Sequence, residues 1–182
     1  MQFNPWHSIS YGDETGDAVN GIIEISKGSR AKYEVCKESG MLTLDRVLYS
    51  SVYYPANYGF IPQTFCDDND PLDILILSQI DILPMTMVEA KIIGVMKMID
   101  QGEADDKLIA VATQDMSVAH YEDISELPEF FIKEIHQFFK EYKVLEQKEV
   151  VIEEIQGAEV GRQVYRQSII DYREKILPTL NK

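Results

Sequence analysis

Short apolar runs fill the first two thirds of the chain, and helical spacing appears only in the last third. Residues 21–25 and 32–35 read as two short strands joined by the turn Lys27-Gly28-Ser29, and residues 41–52 lean toward β structure after Ser39-Gly40. Residues 72–80, apolar without a break over 74–77, read as a strand buried on both faces. Residues 88–99 and 107–113 are two more strands. Between them lies a tyrosine-rich stretch punctuated by Pro55, Gly59 and Pro62, predicted as a loop. The first twenty residues, with Gly12, Asp13, Gly16 and Asp17, are predicted to be irregular. Beyond residue 125 the period changes. Leu127-Pro128 opens a helix with proline at a tolerated first position. Phe131, Ile135, Phe138, Phe139 and Tyr142 share one face of it. Residues 150–155 read as a brief strand. Tyr165, Ile169, Tyr172 and Ile176 mark a second helix over 158–176, ended by Pro178. Strands first and helices later predict a β-barrel or sheet with helices packed outside, not an alternating βαβ fold.

Composition narrows the class. A chain of 182 residues is expected to form one domain, 1–182, and a chain of that size buries roughly 70% of its surface on folding. With 45% apolar and 26% charged residues it is ordinary globular material, which sets aside disordered and coiled-coil readings. No apolar run reaches the length of a membrane span, and the N-terminus has neither the basic nor the apolar region of a secretory signal. Cys36 and Cys66 make no disulfide framework. These features predict a soluble cytoplasmic protein with reduced thiols and no membrane partner. The net charge of −14 argues against a nucleic-acid partner. Such an acidic surplus serves solubility or holds cations, depending on where the acids sit.

The acids concentrate in two places. In Asp67-Asp68-Asn69-Asp70-Pro71-Leu72-Asp73 like charges crowd just before a buried strand, which is costly without cations. Hard divalent cations take such oxygens, but Asp, Asn and Pro are also turn residues, so an acidic turn and a metal site both fit. An EF-hand is excluded, because its sixth and twelfth positions would be Asp73 and Gln79. The second cluster, residues 100–107, reads by itself as a hairpin loop. If the neighbouring strands bring both loops to one end, their carboxylates converge as phosphoryl chemistry on metal ions requires. A third cluster, Tyr53-Tyr54 and Tyr58 after Arg46, offers phosphate donors or half-buried packing. His7, His120 and His136 show no ligand spacing.

Several strings keep a common order and spacing from about residue 20 to 145: Lys32-Tyr33-Glu34, Lys37-Glu38-Ser39-Gly40, Leu44-Asp45-Arg46, Tyr54-Pro55-Ala56-Asn57-Tyr58-Gly59, Asp68-Asn69-Asp70-Pro71-Leu72-Asp73, Gly94-Val95-Met96-Lys97-Met98, Asp105-Asp106-Lys107-Leu108 and Phe138-Phe139-Lys140-Glu141-Tyr142-Lys143. Together they resemble the family I soluble inorganic pyrophosphatases of bacterial type. The resemblance implies a five-stranded closed OB-like barrel with two main helices outside. It implies hydrolysis of diphosphate by a hydroxide held between Mg²⁺ ions, three to four per site. Asp68, Asp73 and Asp105 match the ligands of the first metal, and Asp73 also reaches the second. Asp100 and Asp105 match ligands of a metal brought with substrate. Glu24 and Glu34 match acids near a further metal and its waters. Asp70 matches the residue beside the attacking water. Lys32, Arg46, Tyr58, Lys107, Tyr142 and Lys143 match the phosphate-binding set, with Tyr54 the pocket tyrosine linked to it. Gln101 stands where the family often has an acid.

The resemblance further implies a homo-oligomer, a hexamer. The implied site holds seven acids and four bases, so metal ions are needed to turn it attractive to a diphosphate. A nucleic-acid-binding OB-like module and a metal phosphatase for organic phosphoesters are the rival classes, and the acidic charge argues against the first.

Overall fold

The structure, a computed structural model, describes residues 3–180. Nine strands and four helices appear among them: α1 (Pro5–Ser8), β1 (Val19–Ile25), β2 (Ala31–Val35), β3 (Leu42–Val47), β4 (Asn57–Phe60), β5 (Asp73–Leu77), β6 (Met87–Asp100), β7 (Glu103–Ala104), β8 (Lys107–Ala112), α2 (Glu129–Glu141), β9 (Val150–Gly157), α3 (Ala158–Asp171) and α4 (Leu177–Leu180). Apart from the four-residue α1 and the strand β9 between α2 and α3, the order is strands first and helices later, as the hydrophobic period predicts. The main sheet is mixed. Its pairings run β1-β4-β5-β8-β6, and β6 pairs again with β1 and also with β7 and β9. β2 and β3 form a separate two-stranded sheet.

The central strands are apolar on both faces because both are covered. In β5, Leu75 and Leu77 pack with Ile109 and Val111 of β8 against Ile135, Phe138 and Phe139 of α2. Ile74 and Ile76 point the other way, toward Leu108, Ala110 and the α3 residues Tyr165 and Ile169. A strand with two buried faces loses the alternation of a half-exposed one, which is why residues 74–77 read as one apolar run.

Five expectations need correction. The tyrosine-rich stretch is not wholly loop: β4 is fully buried between β1 and β5. Its four residues are too few to show a period, and Gly59 looks like a breaker. Glycine is required there because a Cβ would lie 1.8 Å from the Ile22 carbonyl oxygen of β1. The strand predicted over 41–52 stops at Val47. The N-terminus is not uniformly irregular: Asn4 Oδ1 accepts from the Trp6 N–H at 2.9 Å and caps α1. Pro178 does not end the last helix. A wide turn over Tyr172–Ile176, with the Leu177 N–H bonded to the Tyr172 carbonyl, carries helical backbone on to Leu180. Pro128 precedes α2 as its cap residue, with extended ψ of 129°.

Gly59→Ala forces β1 and β4 apart. It is expected to destabilise the fold by about 3 kcal/mol, lowering Tm by roughly 10 °C. Thermal melting of the two proteins, followed by circular dichroism, checks this.

Candidate active site

Three strands set charged residues side by side at one end of the sheet. β5 begins at Asp73 and β8 at Lys107, and the two run parallel with Asp73 beside Lys107. β6 runs antiparallel to β8 and ends at Asp100. The β6–β7 hairpin returns the chain so that the Asp105 N–H bonds the Met98 carbonyl at 2.9 Å. The two acidic loops therefore meet. On the opposite side, β2 presents Lys32 and Glu34 two residues apart on one face.

These elements enclose a cleft of about 560 Å³. Glu24, Lys32, Glu34, Tyr54, Tyr58, Asp68, Asp70, Asp73, Asp100, Asp105, Lys107, Tyr142 and Lys143 all line it. Arg46 does not. It stands beside Lys32 in the β2–β3 ladder, with Nε 2.7 Å from Glu146 and a second contact to Asp45. Its Nη2 is buried with no partner in the protein.

An aromatic cluster fixes the phenols. The Tyr54 ring packs tilted against Phe138 and Tyr58, with centroids 4.7 and 5.3 Å away, and Phe138 lies 5.5 Å from Tyr142. Phe138 and Phe139 anchor the end of α2 in the core, so Tyr142 and Lys143 leave the helix directly at the cleft. The Tyr58 hydroxyl donates to Asp73 Oδ2 at 2.5 Å.

Charge dominates the interior. Lys107 has only 2% of its side chain exposed, and its ammonium lies 2.5 Å from both Asp73 and Asp105. Burial opposes its charge, but the two carboxylates outweigh burial and hold the proton firmly. Lys143 pairs with Asp100, and Lys32 with Glu34 and Asp45. Burial, then the Asp105 and Asp73 charges, push Asp68 up to about 7. Burial above all pushes Glu24 up to about 8, although its carboxylate accepts the Val35 N–H at 2.6 Å.

The acids thus outnumber the cations available to them, and every metal-competent donor in the cleft is an oxygen, the set for Mg²⁺-like hard cations. Asp100 Oδ1 is buried without a hydrogen-bond partner. Among the described residues no three acids already surround one point. Lys107 and Lys143 instead neutralise the carboxylates from within. The residues fit divalent cations, which would take up the remaining lone pairs.

Several members of this site carry no sequence signal. Lys37, Asn4 and Trp6 line the cleft, and the Lys37 ammonium pairs with Asp70. No spacing signals a contact between positions 37 and 70. Glu146, the partner of Arg46, lies 100 residues further along the chain. Burial and the nearby Asp68 push the Cys66 thiol up, away from the reactive thiolate, and His136 is exposed on α2.

The family model described as inorganic pyrophosphatase matches residues 21–173. The soluble inorganic pyrophosphatase 2 of Chlamydomonas reinhardtii is 48% identical over 175 residues, covering 96% of this chain and 91% of that protein. The crystal structure of inorganic pyrophosphatase from Thermus thermophilus superposes with a TM-score of 0.90 at 36% identity, over 94% of this chain and 99% of that one. Inorganic pyrophosphatase from Helicobacter pylori gives 0.86 at 39% identity, over 89% and 97%. Among the described residues no helix is long and apolar enough to cross a membrane.

A cation entering the cleft would compete with protons for Asp68 and Glu24. Below the raised values of about 7 and about 8 these acids hold protons, and above them they are free. The rise in Tm that Mg²⁺ produces is therefore expected to grow from pH 6 to about 8.5 and then level off. Thermal shift with Mg²⁺ and with chelator across that range measures it, and a rise that shrinks with pH contradicts the assignment.

Proposed function

This chain belongs to the inorganic pyrophosphatase family and hydrolyses inorganic diphosphate to two phosphates, and we propose that it does so in the charged cleft, on divalent cations held by Asp68, Asp73, Asp100 and Asp105 with Glu24 and Glu34 close by. One observation carries the site reading: lysines and carboxylates are interleaved in a single cleft, with Lys107 buried between Asp73 and Asp105. Diphosphate carries about three to four negative charges, and a cleft lined by eight acids against four lysines, with Arg46 nearby, repels it until cations bind. Bound Mg²⁺, three to four ions with those brought by substrate, supplies that charge and acidifies the attacking water.

The protein's own groups do the rest. Lys32, Lys107 and Lys143 present ammonium groups to phosphate oxygens, and the unpartnered Nη2 of Arg46 adds a planar donor behind Lys32. Tyr58 and Tyr142 offer hydroxyls held by the aromatic cluster, and Tyr54 packs against Tyr58 directly and against Tyr142 only through Phe138. These donors stabilise charge that develops on the leaving phosphate. The Asp70 carboxylate accepts the proton of the attacking water. No covalent enzyme intermediate is required.

The reading extends to the whole molecule. The return of the pairings from β6 to β1 supports a closed OB-like barrel of five strands, β1, β4, β5, β8 and β6, within one domain. Free Cys36 and Cys66 fit a reducing cytoplasm. The hexamer rests on the family resemblance, and light scattering that finds a monomer at micromolar concentration overturns it.

Diphosphate hydrolysis is expected to vanish in excess chelator and return with Mg²⁺, while a nucleoside triphosphate and a simple phosphoester are poor substrates. Asp70→Asn is expected to lower kcat by about 10²–10⁴ while leaving Mg²⁺ affinity and diphosphate binding near the parent's. Asp73→Asn lowers affinity and rate together. Steady-state kinetics at saturating Mg²⁺, with calorimetric Mg²⁺ titration, separates the two. Recovery of Asp70→Asn by extra Mg²⁺ makes Asp70 a metal ligand instead.

A further inference from the structure

The N-terminal segment forms one wall of the cleft, and it touches both loops that frame Asp70. Asn4 Nδ2 donates to the Lys37 carbonyl at 2.7 Å, and the Lys37 ammonium lies 5.9 Å from the Trp6 ring centroid, within cation–π reach. That ammonium pairs with Asp70 and donates to the Asn69 carbonyl at 3.1 Å. Trp6 is fixed from the other side. Its Nε1–H donates to the Thr64 carbonyl at 2.9 Å, and its own carbonyl accepts from the Gln63 N–H at 2.8 Å. The Thr64 hydroxyl in turn accepts the Leu72 N–H at 2.8 Å. A single buried indole thus ties the start of the acidic loop to the lysine that grips its tip.

We propose that Lys37 and Trp6 are positioning residues that hold the Asp70 carboxylate in its proton-accepting place and keep it from joining the cations bound by Asp68 and Asp73. The proposal rests on the diphosphatase reading of the cleft. Asp70 stands two residues from Asp68, and left unrestrained its carboxylate would be free to turn to a divalent ion held there. Once it does, its lone pairs are spent on the ion and it no longer accepts a proton from water. The Lys37 ammonium neutralises Asp70 without removing it from the cleft, and the Asn69 carbonyl and the indole face fix the ammonium itself. Lys37 and Asp70 are each about half exposed, at 50% and 49%. An ion pair that open contributes little to stability, so the pair's effect is on geometry.

The test compares the parent with Lys37→Met, Lys37→Arg, Trp6→Leu and Asp70→Asn, and with Lys37→Met and Trp6→Leu each combined with Asp70→Asn. Turnover and KM are measured at saturating Mg²⁺, Mg²⁺ affinity by calorimetry without substrate, and folding by Tm. Lys37→Met is expected to lower kcat about tenfold, at or below the low end for loss of a general base, with KM little changed. Its Mg²⁺ binding tightens, because a positive charge is lost and Asp70 is released to the ions. A purely structural role lowers both. Lys37→Arg keeps most of the turnover. In the Asp70→Asn background neither Lys37→Met nor Trp6→Leu costs further turnover, since the group they position is gone. Additive losses overturn the proposal, as does weakened Mg²⁺ binding in Lys37→Met with Tm intact. A raised KM with kcat unchanged makes Lys37 a phosphate ligand and also overturns it. If the parent hydrolyses no diphosphate with Mg²⁺, the underlying reading fails instead.

Discussion

The arrangement of this molecule turns on a buried lysine held between two carboxylates. An ammonium shielded from water is tolerated only with opposite charge in contact. Lys107 finds it in Asp73 and Asp105 because β5 and β8 run parallel in one register. That register depends on β4, which fits between β1 and β5 only because Gly59 carries no side chain. It also depends on Ile74, Leu75, Ile109 and Ala110, whose two-sided burial leaves the strands no freedom to slip. Packing in the core thereby fixes the positions of charges at the rim.

The same packing explains why the cleft is acidic yet not simply repulsive. The lysines answer some of the carboxylates, and Asp68, Glu24 and one oxygen of Asp100 are left under-answered. A fold that neutralised every acid internally would have no affinity for cations, and one that neutralised none would strain under its own field. The balance here leaves room for added positive charge and then for an anionic substrate. The aromatic cluster serves this balance by keeping Tyr58 and Tyr142 dry on one side and polar on the other, as phenols permit.

Much of this was legible in the chain, for reasons that differ by element. The strands predicted within 72–80 and 107–113 announced themselves because two-sided burial leaves the apolar runs 74–77 and 108–112, although the first ends at Leu77 rather than at residue 80. The helix over Glu129–Glu141 did so because only one face is buried, giving Phe131, Ile135, Phe138 and Phe139 their spacing. β4 was hidden by its length and by a glycine that looks like a breaker in one dimension and is a necessity in three. Pro178 misled because a wide helical turn before it absorbs the missing N–H. The site acids were legible through local strings, since Asp68, Asp70 and Asp73 are neighbours in sequence. The Lys37–Asp70 and Arg46–Glu146 contacts span 33 and 100 residues and carry no local mark.

Residue type alone did not separate structural acids from those of the site; the source of their hydrogen bonds does. Asp115 accepts from the Ser117 hydroxyl, the Gln79 N–H and the Ser78 hydroxyl, and these donors hold it well below the usual carboxylate range. Asp123 accepts the Ser125 and Ala158 N–H groups and shifts the same way. Both are satisfied by the chain itself and organise turns and the start of α3. Asp68 and Glu24 shift upward because burial removes water and supplies too few donors in exchange. A carboxylate answered by its own backbone needs nothing from outside. One that is buried, crowded by like charges and poorly answered is stable as a charge only when a cation arrives, and in this chain those carboxylates share one cleft with the lysines that a phosphate needs.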